Sequence, residues 1–195
     1  MPQASDLIEQ LIGHAGRYSL APYRALGIAL KGELAIARDE PEAGLDLLQG
    51  ALETLHAQQY NLQITRVIGA LAEGLRKTGQ FEEALFTIDQ ATARAKNSGV
   101  EFYLSELLRI KSQILAAQHD REPAMNCLTE ALAVARAQSA LAWELRSTMA
   151  LARLLCEDGQ RDQARHALAL VYDRFTEGFE TADLKLARAL LEELR

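Results

Sequence analysis

LAWELRSTMALARLLCEDGQRDQARHALALVYDRF, residues 141–175, reads as two helical stretches separated at Gly159-Gln160. Leu141, Trp143, Leu145, Leu151, Leu154 and Leu155 make the stripe of the first stretch, and Ala164, Leu168, Val171 and Phe175 that of the second. The same punctuation stands at Asp39-Glu40, Gly79-Gln80 and His119-Asp120, so the interval is 40 residues throughout. Cutting at that interval gives 21–60, 61–100, 101–140 and 141–180, which align without a gap. Small residues recur at Gly32, Ala72, Ser112 and Ala152, and again at Gly44, Ala84, Ala124 and Ala164. Leu48, Ile88, Leu128 and Leu168 recur behind them. Each block therefore reads as two helices that meet through a small-residue notch with a large aliphatic side chain pressed in behind. A period in this range marks a helical repeat array, whose units bury their apolar stripes by stacking on one another.

Outward from that stretch the pattern holds. Pro22 and Pro41 sit where a first helical turn tolerates proline. Leu45, Leu48, Leu52 and Leu55, then Ile64, Val67, Ile68 and Leu71, keep helical spacing, and the third block runs from Phe102 through Leu104, Leu107 and Leu108 to Leu115. Helices of about 17 residues would be near 25 Å long, and loops of two to five residues make neighbours antiparallel. Residues 1–20 fall outside the blocks. Ser5 is the expected N-cap there, Leu7, Ile8, Leu11 and Ile12 form one side, and Gly13 to Gly16 close the pattern. This helix reads as a cap or as the second helix of a partial earlier repeat, which makes the chain a candidate fragment of a longer protein. At the other end Gly178 interrupts the helix, Thr181 is the expected N-cap, and 181–195 read as a capping helix with Leu186 turned outward and Leu184, Ala187, Leu191 and Leu194 turned in.

Composition bounds the function. A net charge of −6 argues against a general nucleic-acid binder, which needs a basic face. No run approaches 18 apolar residues, so no membrane span is expected. The opening MPQASDLIEQ lacks the basic and apolar regions of a secretory signal. Cys127 and Cys156 lie in different blocks, outside any CxxC pair, and read as reduced packing residues of a cytoplasmic protein, Cys156 the more reachable.

The spacing of small residues resembles the tetratricopeptide repeat, stretched from its usual 34 residues to 40. The later small position of that motif falls at Ala51, Ala91 and Ala131, with Val171 in its place in the fourth block, and Lys31 and Lys111 stand where leucine is usual. The expected fold is all-α: a right-handed superhelix of four tetratricopeptide-like hairpins between an N-terminal and a C-terminal helix. From about 101 to 195 there is a narrower resemblance, carried by WELR and FTEGFETADL. These segments resemble the C-terminal tails of large bacterial signalling proteins that carry a class III adenylate/guanylate cyclase domain and a P-loop ATPase module. The chain contains neither catalytic part; the resemblance implies a regulatory scaffold that contacts partners or the other domains of a parent chain.

A search for chemistry yields little. There is no GxxxxGK[ST] loop. His14, His56, His119 and His166 are too dispersed for HExxH, and His119 stands where other blocks have glycine, which points to a backbone role. Glu82/Glu83, Glu157/Asp158 and Glu192/Glu193 are adjacent pairs that diverge around a helix. No enzyme activity, cofactor or metal is expected.

The informative positions lie on the expected concave face of the first helices. One column holds Leu26, Arg66, Glu106 and Arg146, the next Ala29, Gly69, Arg109 and Met149, the third Glu33, Glu73, Gln113 and Arg153. Arg66, Arg109, Arg146 and Arg153 could offer forked donors to an acidic peptide or a C-terminal carboxylate, with Glu73, Glu106 and Gln113 beside them. The competing reading is that Glu106 pairs with Arg109 and Arg146 and keeps the face soluble. Tyr23, Tyr103 and Trp143 near the helix starts suit packing between repeats or a ligand platform. Protein or peptide binding is the leading expectation. A sensor for a small anionic metabolite and an oligomerisation module, joined through the apolar edge of a terminal hairpin, are the alternatives.

Overall fold

The structure, a computed structural model, describes residues 2–61 and 63–195; Met1 and Leu62 lie outside them. Among the described residues it consists of ten α-helices and their connections. They are α1 (Pro2–Arg17), α2 (Ala21–Ala37), α3 (Pro41–Ala57), α4 (Ile64–Lys77), α5 (Phe81–Ser98), α6 (Leu104–Ala117), α7 (Arg121–Ala137), α8 (Leu141–Glu157), α9 (Arg161–Tyr172) and α10 (Ala182–Glu193). The chain divides into two units, one ending at Ala95 and one beginning at Lys96. In the first, α1 packs on α2, α2 on α3 and α3 on α4. In the second, α7 lies against α6 and α8, α8 against α6 and α9, and α10 against α8 and α9.

Ser19, Asp39, Gln59, Gly79, Gly99, His119, Ser139 and Gly159 all have positive φ, from 52° to 79°, and stand 20 residues apart. At seven of them, Gly99 excepted, the following residue donates its N–H to the carbonyl five positions back at 2.8–3.0 Å, as Glu40 does to Ala35 and Gln160 to Leu155. This is the Schellman closure, which satisfies carbonyls that a helix end leaves open. In six cases the donor is at once the last residue before the next helix. Half of the series is glycine-free of necessity only in sequence, not in energy: L-residues are disfavoured in this region. His119→Gly should therefore raise stability by about 1 kcal/mol, and Gly159→Ala lower it by about as much, read as opposite shifts in a urea melt.

The notch observed between paired helices is the one the spacing predicts. Leu48, Ile88, Leu128 and Leu168 are fully buried, and so are Ala72, Ala152, Ala84, Ala124 and Ala164. Between α2 and α3 the backbones themselves touch: a Cβ on Gly32 would lie 2.9 Å from the carbonyl oxygen of Gly44, and one on Gly44 2.8 Å from that of Gly32.

Four expectations need correction. Ser5 does not cap α1 but lies inside it, since the helix begins at Pro2. The helix also runs through Gly13 and Gly16 to Arg17. Its seat on α2, where Ala15 is 2% exposed, outweighs a cost of about 1 kcal/mol per glycine. Second, α9 stops at Tyr172, so Phe175 packs against the core from outside the helix and Gly178 lies in the connection. Arg174 and Phe175 there donate to carbonyls three positions back, the tighter winding common at helix ends. Third, Phe102 precedes α6 and is exposed. Fourth, α4 and α6 have 14 residues each, because a turn comes first: the Leu104 N–H bonds the Glu101 carbonyl at 2.9 Å. On α10, Leu184, Ala187 and Leu194 are buried and Leu186 is exposed, as expected; Leu190 is also buried, with Leu191 packed beside it. Thr181 is the N-cap residue by position, with extended backbone and no side-chain capping bond.

Cys127 and Cys156 are both free and half-buried, so neither is the more reachable. No helix, among the described residues, is long and apolar enough to cross a membrane.

Candidate functional site

Helix α6 is enclosed over its whole first half: every residue from Leu104 to Ile110 is buried. Glu106 is one of these, only 2% exposed. A carboxylate removed from water to that degree needs compensating charge and hydrogen bonds, and helical spacing supplies both. Arg109, one turn on, donates from Nε to Oε2 at 2.9 Å and from Nη2 to Oε1 at 2.8 Å. Arg146, on α8, places Nη2 2.7 Å from Oε1 of the same carboxylate. A further turn along α6, Gln113 accepts from Arg109 Nη1 at 2.6 Å.

On α8 the spacing of three sets Arg146 over the Trp143 ring, its guanidinium carbon 5.4 Å from the centroid. Tyr103 meets Trp143 edge-on at 5.4 Å and 86°. The two aromatics thus pack one hairpin on the next, and Arg146 lies between an aromatic face and an acid. Arg153, two turns beyond Arg146, is exposed and has no ion pair among the described residues. Met149, between them, is 6% exposed.

The first unit contains separate pairs. Arg66 Nη2 on α4 donates to Glu33 on α2 at 2.6 Å. Arg76 grips Glu73 through Nε at 3.0 Å and Nη2 at 2.8 Å. Lys77 donates to the Ile36 carbonyl at 2.8 Å, near the end of α2. Of the seven expected site residues, then, Glu106, Arg109, Gln113 and Arg146 form one network. Arg66 and Glu73 each have their own partner, and Arg153 stands apart. Three of the four arginines expected to offer donors to a ligand are engaged with carboxylates of the chain itself.

A second buried acid was not singled out from the sequence. Glu144 is 3% exposed. Arg136 of α7 donates to its Oε1 at 2.8 Å, and Arg174, just after α9, to its Oε2 at 2.5 Å. Burial alone pushes its carboxyl up; the two arginines outweigh this, and the group titrates below its ordinary value. A depressed carboxyl adds stability above its unfolded value, lost as pH falls through the folded one. Glu144→Gln should therefore be less stable than the parent at neutral pH, with the difference closing as pH is lowered from about 5. Thermal melts across that range measure it. A gap independent of pH would contradict the pairing. The signal available in the sequence was the flanking pair Arg136 and Arg174, eight residues before and thirty after.

Two open recesses lie elsewhere. One of about 500 Å³ is lined by Ala15, Leu20, Arg24, Ile28 and Thr54. The other, about 410 Å³ between α9 and α10, is lined by Arg165, Tyr172, Asp173, Arg188 and Arg195. Neither includes an expected site residue.

No family model matches the chain, and no curated protein does. Solved structures resemble it. BtubC (BKLC) from P. vanneervenii superposes with a TM-score of 0.73 at 16% identity, covering 99% of this chain and 82% of that one. A Podosopora anserina protein assigned as a kinesin light chain, with nearly identical TPR-like repeats, gives 0.63 at 17% identity, covering 89% and 86%. Likeness at these identities is one of fold, and with the helical pairing described above it makes the chain an all-α protein of TPR-like helical hairpins.

Proposed function

We propose that the chain is a non-catalytic scaffold that binds an acidic protein segment on the face formed by the first-position helices α6 and α8. The observation that carries this reading is the order built into that face. Glu106 and Arg109 are buried and fix Arg146, while Arg146 keeps about a third of its side chain exposed over Trp143. Arg153 continues the same face in solvent. Two arginines seven residues apart with an aromatic plate beside one of them suit a peptide carrying spaced carboxylates. Glu106, Arg109 and Gln113 then act as positioning residues rather than contacts, and Arg66 and Glu73 play the corresponding supporting part in the first unit. The resemblance carried by WELR and FTEGFETADL places the scaffold in a cytoplasmic bacterial signalling protein, its partner a separate protein or another domain of the parent chain.

The test is affinity capture from bacterial cytosolic extract with the parent and an Arg146→Ala, Arg153→Glu double variant, both shown by melting to be folded. A protein held by the parent and weakened at least about tenfold by the variant, an effect of the size expected for lost charge-assisted contacts, supports the reading. Equal capture by both moves recognition off this face and overturns it.

A further inference from the structure

The repeat register runs one helix further than the paired hairpins. Ile8 stands 40 residues before Leu48, and Ala4 40 before Gly44. α1 packs on α2 as α3 packs on α4, so it occupies the place of a second-position helix. Yet Ile8 is only half-buried where its four successors are fully buried, Ala4 is exposed where Gly44 is buried, and Leu7 is 59% exposed. What α1 lacks is the first-position helix that covers this row in every other pair.

α10 has the opposite deficiency. It packs on α8 and α9 as α8 packs on α6 and α7, which is the place of a first-position helix. Its outer row of Ala182, Leu186 and Ala189 is exposed, with Leu186 at 53%. The charges beside the two rows are opposite: exposed Asp6 and Glu9 adjoin Leu7 and Ile8, while exposed Lys185 and Arg188 flank Leu186. Glu9, Lys185 and Arg188 now pair with exposed neighbours, Lys31, Glu180 and Glu192, and such pairs hold little free energy.

We infer that a second copy of the chain is the occupant: α10 of one copy covers the open row of α1 on the next, completing between molecules the hairpin that each lacks at either end. The contact is heterologous, using a different surface on each partner, so it propagates unless it closes into a ring. One helix pair buries less than the roughly 1,200 Å² of a standard interface. Association is accordingly weak, with a dissociation constant on the order of 100 μM, and salt weakens it further.

Sedimentation of the parent, Leu7→Glu, Leu186→Glu and an equimolar mixture of the two variants tests this. Both positions are exposed, and unchanged melting curves verify that both variants fold. The expected result is that the parent's average mass climbs past that of a dimer with concentration, each variant alone stays monomeric, and the mixture forms dimers and stops. The mixture is decisive because each variant keeps the surface the other has lost. A parent monomeric up to about 1 mM, a concentration well above that dissociation constant, overturns the inference and leaves the row on α1 to another helix. Self-association that survives in either variant, or a mixture that remains monomeric, overturns it equally.

Discussion

Arg109→Ala should lower the unfolding free energy by about 3 kcal/mol, the loss expected when one partner of a buried ion pair is removed. The argument rests on Glu106, which is 2% exposed and has both oxygens held by Arg109. Without that guanidinium, Arg146 still reaches Oε1, but Oε2 and the Gln113 carbonyl lose their donor in a place where few waters could replace it. Arg109→Lys should recover only part of the loss, because an ammonium cannot grip two oxygens at once. Removing both charges, as Glu106→Leu with Arg109→Leu, should recover most of it, since an apolar pair carries no uncompensated charge. Urea denaturation of the three variants checks the set. If Arg109→Ala costs less than about 1 kcal/mol, the range of an exposed pair, Glu106 is not the anchor described. A charge reversal at Arg109 is for the same reason a poor probe of binding: it acts on folding first.

Leu128→Ala should cost about 3–4 kcal/mol, in the range for a large aliphatic side chain removed from a closed core, and Leu168→Ala and Leu48→Ala the same. All three are fully buried behind a small-residue notch that cannot collapse into the space, because helix backbones form its walls. Ile8→Ala, at the equivalent place on α1, should cost only about 1 kcal/mol, since half-burial has already left part of the transfer term unrealised. Denaturant midpoints compared across the four variants measure the difference. An equal loss at position 8 would mean that α1 is covered in solution.

The contrast between these two side chains shows what was legible in the sequence. Notch and plug recur at fixed spacing and are set by volume alone, so Gly32, Ala124 and Leu168 could be placed without a structure. Glu106 and Glu144 could not, because periodicity reports which side of a helix faces inward but not how deeply a neighbouring helix covers it. A glutamate at such a position reads as solvated until α8 is seen to close over α6. The left-handed turns at Ser19, Gln59 and Ser139 were missed for a related reason. Where glycine marks the position, as at Gly79 and Gly159, the chemistry advertises the backbone; a serine or glutamine in the same conformation carries no such mark. The end of α9 at Tyr172 likewise depends on how Phe175 settles against the core, which is a tertiary matter.

The even pulse of left-handed residues also governs how this chain can change length. With 20 residues from one pulse to the next and no slack in six of the turns, a single inserted residue within a helix would swing everything beyond it by about 100°. The buried row would then point at solvent until the next pulse. Loss of 20 residues would restore the phase but join two helices of like position, such as α2 and α4, each built to receive the other kind. Only a gain or loss of 40 leaves every row opposite its proper partner. Growth and trimming in a lineage of such chains should therefore proceed by whole pairs, and gene-level duplications in that unit are the cheapest edits open to it.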